Sequence, residues 1–597
     1  MSQKIGAFFT LYKLDFICII IYMIFKPYFI NENDIPLPEY PRPQFKRDSY
    51  YSLNGEWNFT IKKANGNVQS GKIQVPYSPE CDLSGVREQV KRGDLLIYNK
   101  TFNLPKNFNR GKVLINFGAV DQVCLVKVNN ALVGGNQGGY NPFTFDITSF
   151  LVDGENSLTV EVIDDADSEV YGRGKQKYKN GGIWYTATSG IWQTVFIESV
   201  PQNYIKSIKL IPDFDNKTLT IKPIKSGEGN LTVSVLDGEN LLYTASGNGD
   251  IVLSVDKCKE WNLENPELYK VILEYGEDRV ESYFGLRKFS MVEKDGCKLF
   301  ALNNKPIFHN GLLDQGYYNG GLLTPKTNND MYEEIKAVKE LGFNMIRKHI
   351  KIEPLLWYYY CDILGVLVWQ DMINGGKKYK THRIILAPFI NLHLNDKNYK
   401  SMGRSEKSRE QYYKEAFLMQ DTLYNSVSLC LYTPFNEAWG QFDALEVTKT
   451  LRKRDNSRLY DHASGWQDMG GGDLFSKHIY FRKIRLKNDR KRILAVTEFG
   501  GYSLAVKGHI FTKKKFGYKG FKKKEDLQRA YIKLFREQII PEIYKNGLCA
   551  TVYTQLTDIE DEINGLFTFD RVLKISKEEI QKINSEVYLA FDKKFNG

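Results

Sequence analysis

Two glutamates, each closing a short apolar run, are the side chains of this sequence best placed to do chemistry. SLCLYTPFNEAW ends at Asn436-Glu437, and RILAVTEFGGY carries Glu498. Both runs read as buried strands, and a carboxylate at the C-terminal tip of a barrel strand stands where such barrels keep their reactive groups. Two carboxylates facing one cleft are the minimum equipment for breaking a glycosidic bond. A strand-end glutamate taken alone has a plainer use, pairing with a barrel arginine or capping a helix. Two of them at comparable strand ends favour the chemical reading.

The elements that must position them follow a clear rhythm. From Phe289 onward strand and helix alternate: KPIFHNGLL precedes the helical DMYEEIKAVKELG, FNMIRKHI precedes EPLLWYYYCDILG, and VLVWQDM precedes SREQYYKEAFLMQDTLYN. SLCLYTPFNEAW precedes DALEVTKTLRKRD, and RLYDHASGW, a short KHIYF, RILAVTEFGGY with a long helix around Asp526 to Tyr544, and LCATVYTQLTD complete the set. Eight such strands predict a parallel sheet closed into a (β/α)8 barrel over residues 289–597. Glu437 then ends strand four and Glu498 strand seven. Ahead of the barrel, runs such as GKVLINFGAV and NSLTVEVID alternate apolar and polar residues between turn formers, predicting an antiparallel β-sandwich over 41–200. YIKSIKLIP, NLTVSVLD and LYKVILEYG predict a second, immunoglobulin-like sandwich over 201–288.

Composition agrees with a multidomain globular chain, since 597 residues allow three to four domains and 26% charge is ordinary. The 37 Tyr and 35 Phe suit sugar-stacking surfaces and β-rich cores alike. Part of the net charge of +11 lies in Lys513-Lys514-Lys515 and Lys522-Lys523-Lys524. Such runs, segment 513–524 among them, read as solvated loop and helix faces; binding of nucleic acid or another anionic polymer is the sharper alternative. No motif supports nucleic-acid recognition. The eight cysteines are scattered without CxxC or zinc spacing, which is not a disulfide framework. Residues 1–40 contain the apolar stretch Phe16 to Phe25 behind Lys4 and Lys13, too short to span a bilayer alone. It reads as an export signal or uncleaved membrane anchor, giving a secreted or anchored extracytoplasmic protein, with a cytoplasmic one as the alternative.

Several motifs in the same order resemble glycoside hydrolase family 2, the β-galactosidase, β-glucuronidase and β-mannosidase family. They are LNGEWNF, VPYSPE, FGAVDQVCLVKVNNALVGGNQGGYNPFTFDIT and SGIWQTVFIESV, then GFNMIR, WYYYCDILGVLVWQDM, FNEAWG, VTEFGG and TDIEDEINGLFTFDR. The resemblance covers nearly everything after about residue 45. It implies a sugar-binding-like, jelly-roll first sandwich, an immunoglobulin-like second one and a catalytic TIM barrel. It further implies a retaining exo-β-glycosidase working by double displacement, with Glu437 as acid/base and Glu498 as nucleophile, no metal and no organic cofactor. A retaining pair stands about 5–5.5 Å apart, one carboxyl protonated and one ionised. Burial and the Glu498 charge would both raise the pKa of Glu437. Asn436 is similar to the family's asparagine that hydrogen-bonds the sugar 2-hydroxyl, against a turn-forming role. Tyr480 matches a tyrosine that steadies the nucleophile, against a core tyrosine. Arg347 could orient the nucleophile through a charge-assisted bond, against an ion pair deeper in the barrel. His349 resembles a substrate-contacting histidine, one residue out of the usual spacing from Arg347. Asp371, Asp461 and His462 are candidate hydroxyl ligands or loop anchors, and Trp466 could stack on a sugar face or fill the barrel rim.

Two departures bear on specificity. Thr194 stands where β-galactosidases have an aspartate reaching in from the sandwich, and strand eight, VYTQLTD, lacks a tryptophan whose space Tyr553 or Gln555 must fill. No Asn-x-Lys uronate clamp is evident, since Asn303-Asn304-Lys305 reads as a hairpin turn. The glycone is therefore open among galactoside, glucuronide and mannoside, with oligosaccharides or glycosides as partners. A catalytically inactive carbohydrate-binding protein and a surface scaffold for anionic glycans are the rival readings.

Overall fold

The computed structural model describes residues 23–25, 35–377 and 394–597. Apart from the short strand Met23–Phe25, the apolar leader lies outside the described residues. Among the described residues no helix is long and apolar enough to cross a membrane, and the seven cysteines there are free.

Three hydrophobic cores organise the chain. In the first, a seven-stranded sheet containing Gly55–Lys62 and Leu95–Asn103 and a four-stranded sheet containing Lys112–Phe117 and Val195–Val200 share one apolar interior. Alternation does the work: in Gly55–Lys62, Trp57, Phe59 and Ile61 point inward and the residues between them outward. A three-stranded and a four-stranded sheet within residues 205–284 enclose the second core in the same way.

The third core belongs to a barrel-like parallel sheet. Its strands are β1 (His309–Asp314), β2 (Met345–Lys348), β3 (Leu367–Asp371), β4 (Leu429–Thr433), β5 (Leu459–Tyr460), β6 (Leu474–Ile479), β7 (Ile493–Gly500) and β8 (Ala550–Thr554). They pair in the order β6-β7-β8-β1-β2-β3-β4-β5. The strands are fully buried along β3, β4, β7 and β8, which is why their sequences are apolar runs rather than alternating ones. Helices α1 (Asn328–Glu340), α2 (Leu355–Leu364), α3 (Glu406–Leu423) and α4 (Ala444–Arg454) follow the first four strands in turn. Beyond β7, α5 (Lys524–Leu534) runs through one π-helical turn into α6 (Ile540–Asn546), and α7 (Lys577–Phe595) ends the chain. The starts and stops are local: a capping box between Thr327 and Asp330 opens α1, and Gly365 and Gly547, at φ 65° and 70°, close α2 and α6.

The ring does not close by backbone. β5 and β6 share no ladder, so the sheet is nearly rather than fully closed. Asp473 N–H donates to Tyr460 O across this seam at 2.7 Å, and Ser476 Oγ donates to Asp461 Oδ1 at 2.9 Å.

Candidate active site

Glu437 sits just beyond β4, in a turn where Glu437 and Ala438 both take left-handed backbone (φ 50° and 61°). That conformation costs a non-glycine residue about 1 kcal/mol or more and is held where the surroundings dictate it. Here Glu437 N–H donates to Ser464 O at 2.9 Å and Ser464 N–H to Phe435 O at 2.8 Å, pinning the turn. Glu498 lies within β7, where the pairing with β8 slips between Val496 and Phe499. The slip frees Thr497 and Glu498 from the β8 ladder, while Glu498 stays opposite His478 of β6. One oxygen from each carboxylate lies within 4.8 Å of the other, and both residues are buried.

Arg347, at the end of β2 and fully buried, ties the first strands to the seventh. Its guanidinium donates to Glu498 Oε1 (3.2 Å), to Thr497 O (3.1 Å), to Asn436 Oδ1 (2.7 Å) and to both oxygens of Asp371 (3.1 and 2.9 Å). Tyr480 O–H donates to Glu498 Oε2 at 2.6 Å and stands 2.9 Å from the Thr554 hydroxyl. Burial pushes the Tyr480 phenol far above its ordinary pKa, so it stays a donor. Glu498 is therefore gripped on both oxygens.

Glu437 is held differently. Trp439 Nε1 donates to its Oε2 at 3.2 Å, and His478 Nδ1 stands 2.8 Å from its Oε1. Burial raises the Glu437 pKa, while Lys175, the Trp439 N–H and Arg347 all oppose the rise. The expected push from the Glu498 charge is thus not among the causes; loss of water is. His478 was not singled out from the sequence. Its β6 strand slips register against β7 between Lys477 and His478, aiming the ring between the two glutamates, with Nδ1 3.5 Å from Glu498 Oε2. Burial lowers its pKa to about 4, leaving the ring neutral. Its Nε2 lies 3.1 Å from Ser464 Oγ, and that hydroxyl donates to Thr497 Oγ1 at 2.9 Å. With the serine hydrogen so committed, Nε2–H donates to Ser464 and Nδ1 offers its lone pair to a protonated Glu437.

Three further contributors come from distant sequence. Lys175 and Trp184, from the first module, line the cleft beside Asn436 and Trp439, with Trp184 edge-on to Trp439 at 5.0 Å. Tyr518 stacks flat on Tyr480, ring centres 3.9 Å apart. It belongs to the basic segment whose lysines, 513–515 and 522–524, are exposed as expected; the aromatic between them is not a solvated residue but part of the site wall.

The remaining expectations divide. Asp371 is an anchor, since both oxygens serve Arg347 and Oδ2 also bonds His349 Nδ1 at 2.6 Å. His349 is buried behind the carboxylates, with burial lowering its pKa to about 4. Asp461 faces Ser476 across the seam, and His462 turns away to accept the Met469 N–H at 3.0 Å. Neither is placed as a hydroxyl ligand. Trp466 packs edge-on against His478 at 5.6 Å, on the rim of the site. Thr194 accepts from Asn54 inside the first module, away from the carboxylates. Gln555, rather than Tyr553, fills the polar space past strand eight, bonding Gln315 and Asn564, while Tyr553 packs on Phe499 and Tyr531.

Residues 74–201 match the sugar-binding domain of glycosyl hydrolases family 2. A β-galactosidase of Halalkalibacterium halodurans is 25% identical over 373 residues, 55% of this chain and 35% of that protein. These matches support glycoside hydrolase family 2. A putative β-glucuronidase of Formosa agariphila is likewise 25% identical, over 455 residues, 71% of this chain and 53% of that protein. The chain thus spans about a third to a half of the length of these curated relatives. A solved β-glucuronidase of Ruminococcus gnavus shares the fold with TM-score 0.72 at 16% identity, over 92% of this chain and 99% of that one. The multidomain fold of the family is therefore present from the first module to the barrel-like sheet.

Proposed function

We propose that this chain is a retaining exo-β-glycosidase, with Glu437 as acid/base and Glu498 as nucleophile. The observation that carries the proposal is the unlike pair: two carboxylates with oxygens within 4.8 Å, one raised by burial and facing a neutral imidazole, the other gripped by a guanidinium and a phenol. That spacing favours the retaining over the inverting course, whose carboxyls stand about 6.5–9.5 Å apart to admit a water. In the first step Glu437 protonates the leaving oxygen while Glu498 attacks the anomeric carbon. The Glu498 charge is then spent in the covalent bond, and the ionised Glu437 takes a proton from the incoming water. Asn436, locked by Arg347, is positioned to meet the sugar 2-hydroxyl. The two sheets of residues 41–200 and of 201–288 support a reading as sandwiches, and residues 289–597 as a (β/α)8 barrel carrying the site. The apolar leader supports an extracytoplasmic location.

One observation favours a uronide as glycone over a neutral sugar. Lys175 lines the cleft beside Asn436, with its Nζ 5.9 Å from the Trp184 ring centre and no carboxylate at ion-pair distance among the described residues. A sugar carboxylate would supply the missing partner.

The test is nitrophenol release from α- and β-linked nitrophenyl galactoside, glucuronide, galacturonide, mannoside and glucoside. Turnover of a β-glycoside that vanishes in Glu498→Gln supports the proposal. Glycan binding without turnover on any member, or on natural oligosaccharides, would favour a binding protein instead.

A further inference from the structure

The two glutamates and His478 together form a donor set that glycoside hydrolysis does not call for. One oxygen from each carboxylate and a ring nitrogen of His478 all lie within 4.8 Å of one another, and all three residues are buried. His478 Nδ1 is 2.8 Å from Glu437 Oε1 and 3.5 Å from Glu498 Oε2. Donors around a tetrahedral zinc ion, at bond lengths of about 2.0–2.2 Å, stand about 3.4 Å apart. An ion at that distance needs the Glu437–His478 contact to open by roughly half an ångström and the two carboxylate oxygens, within 4.8 Å of each other, to settle at the same separation. Imidazole nitrogen with carboxylate oxygen suits zinc and its transition-metal neighbours, where a set of oxygens alone would suit magnesium or calcium.

The surroundings are those of a built site. Ser464 holds His478 Nε2 at 3.1 Å, Trp439 Nε1 holds Glu437 Oε2 at 3.2 Å, and Tyr480 holds Glu498 Oε2 at 2.6 Å. Outer hydrogen bonds of this kind fix ring orientation and ligand direction in metal centres. We propose that Glu437, His478 and Glu498 bind a divalent transition-metal ion, and that the bound ion shuts the reactive cleft. The ion ties up an oxygen of each of the two carboxylates that the reaction needs as acid and as nucleophile, so neither step can proceed. Binding stands on the donor geometry alone; inhibition rests on the glycosidase reading above.

Zinc chloride, titrated into the full-length protein against a chromophoric chelator, measures binding without reference to activity. The wild type should hold one tight equivalent, weakened at least about tenfold in both His478→Gln and Glu498→Gln. His509→Ala should bind as wild type does, because His509 lies outside the site, 2.7 Å from Asp570. Circular dichroism verifies that each variant folds, and if His478→Gln does not, Glu498→Gln decides. Absence of zinc uptake by the wild type at millimolar concentration, or uptake unchanged in Glu498→Gln, overturns the site. Uptake that leaves glycoside hydrolysis unaffected overturns the closure. Site-dependent uptake by a protein that hydrolyses no glycoside upholds the metal site and refutes the glycosidase assignment instead.

Discussion

Replacing Tyr480 by Phe removes one oxygen and little else. The ring keeps its stack on Tyr518 at 3.9 Å, and the main loss is the 2.6 Å bond to Glu498 Oε2. A hydrogen bond to a charged group is worth about 1.5–3 kcal/mol. If that bond aims and stabilises the attacking carboxylate, its loss should lower kcat/KM by about 10- to 150-fold, at about 1.4 kcal/mol per factor of ten. The Thr554 hydroxyl loses its phenol neighbour as well, so stability should fall by no more than about 1 kcal/mol. Steady-state hydrolysis of the best nitrophenyl glycoside, with thermal unfolding of both proteins, separates the two effects. A Tyr480→Phe enzyme within threefold of wild type would show that Arg347 alone orients Glu498 and would refute the two-handed grip.

Arg347→Lys keeps the charge but cannot reach Asp371, Glu498 and Asn436 together; it should cost at least about 2 kcal/mol of stability and over a hundredfold in kcat, read by urea unfolding and kinetics. Glu437→Gln should slow turnover of glycosides with poor leaving groups by a factor of about 10²–10⁴, while a dinitrophenyl glycoside, whose leaving group needs no acid, should still release a first equivalent rapidly before slow release of the glycosyl-enzyme limits turnover. The same variant tests the linkage. Because burial raises the folded-state pKa of Glu437 above its unfolded value, its contribution to stability is whole below the unfolded pKa and is lost as pH rises through the folded one. The melting temperature of Glu437→Gln relative to wild type should therefore increase with pH from acid to neutral, and a flat or falling difference would contradict the burial assignment. Lys175 holds that pKa down, so Lys175→Met should move the alkaline limb of the pH–activity profile to higher pH and weaken any preference for uronides.

The strand-end chemistry was legible because a parallel barrel strand ends where its loop begins, and Arg347, Asn436, Glu437 and Glu498 all sit at such ends. His478 was legible too, by a rule applied only to its neighbour. Ser476 and His478 are two residues apart on β6 and share a face, and Tyr480 continues the spacing just past its end; they meet Asp461, Glu437 and Glu498 in turn. His462 follows Asp461 past the end of β5, where no strand alternation tells which of two neighbours faces the site, and it turns to the Met469 N–H. Lys175, Trp184 and Tyr518 left no local trace. They arrive on loops from other parts of the chain, and no periodicity records which loop crosses which cleft. Asp371 illustrates a different limit: a carboxylate at a strand end looks the same in sequence whether it meets a sugar or an arginine.

Seven of the eight neighbouring pairs in the barrel-like ring are laced by backbone ladders, and the eighth is joined by single contacts, one of them between the Ser476 and Asp461 side chains. Glu437, just beyond β4, reaches past the same gap to His478 on β6. A reactive contact thus spans the gap in the ring, and it changes with each proton gained, sugar attached or ion taken up. Amide exchange along residues 459–479 would then follow turnover from a distance, reporting as loosening and tightening what the carboxylates are doing.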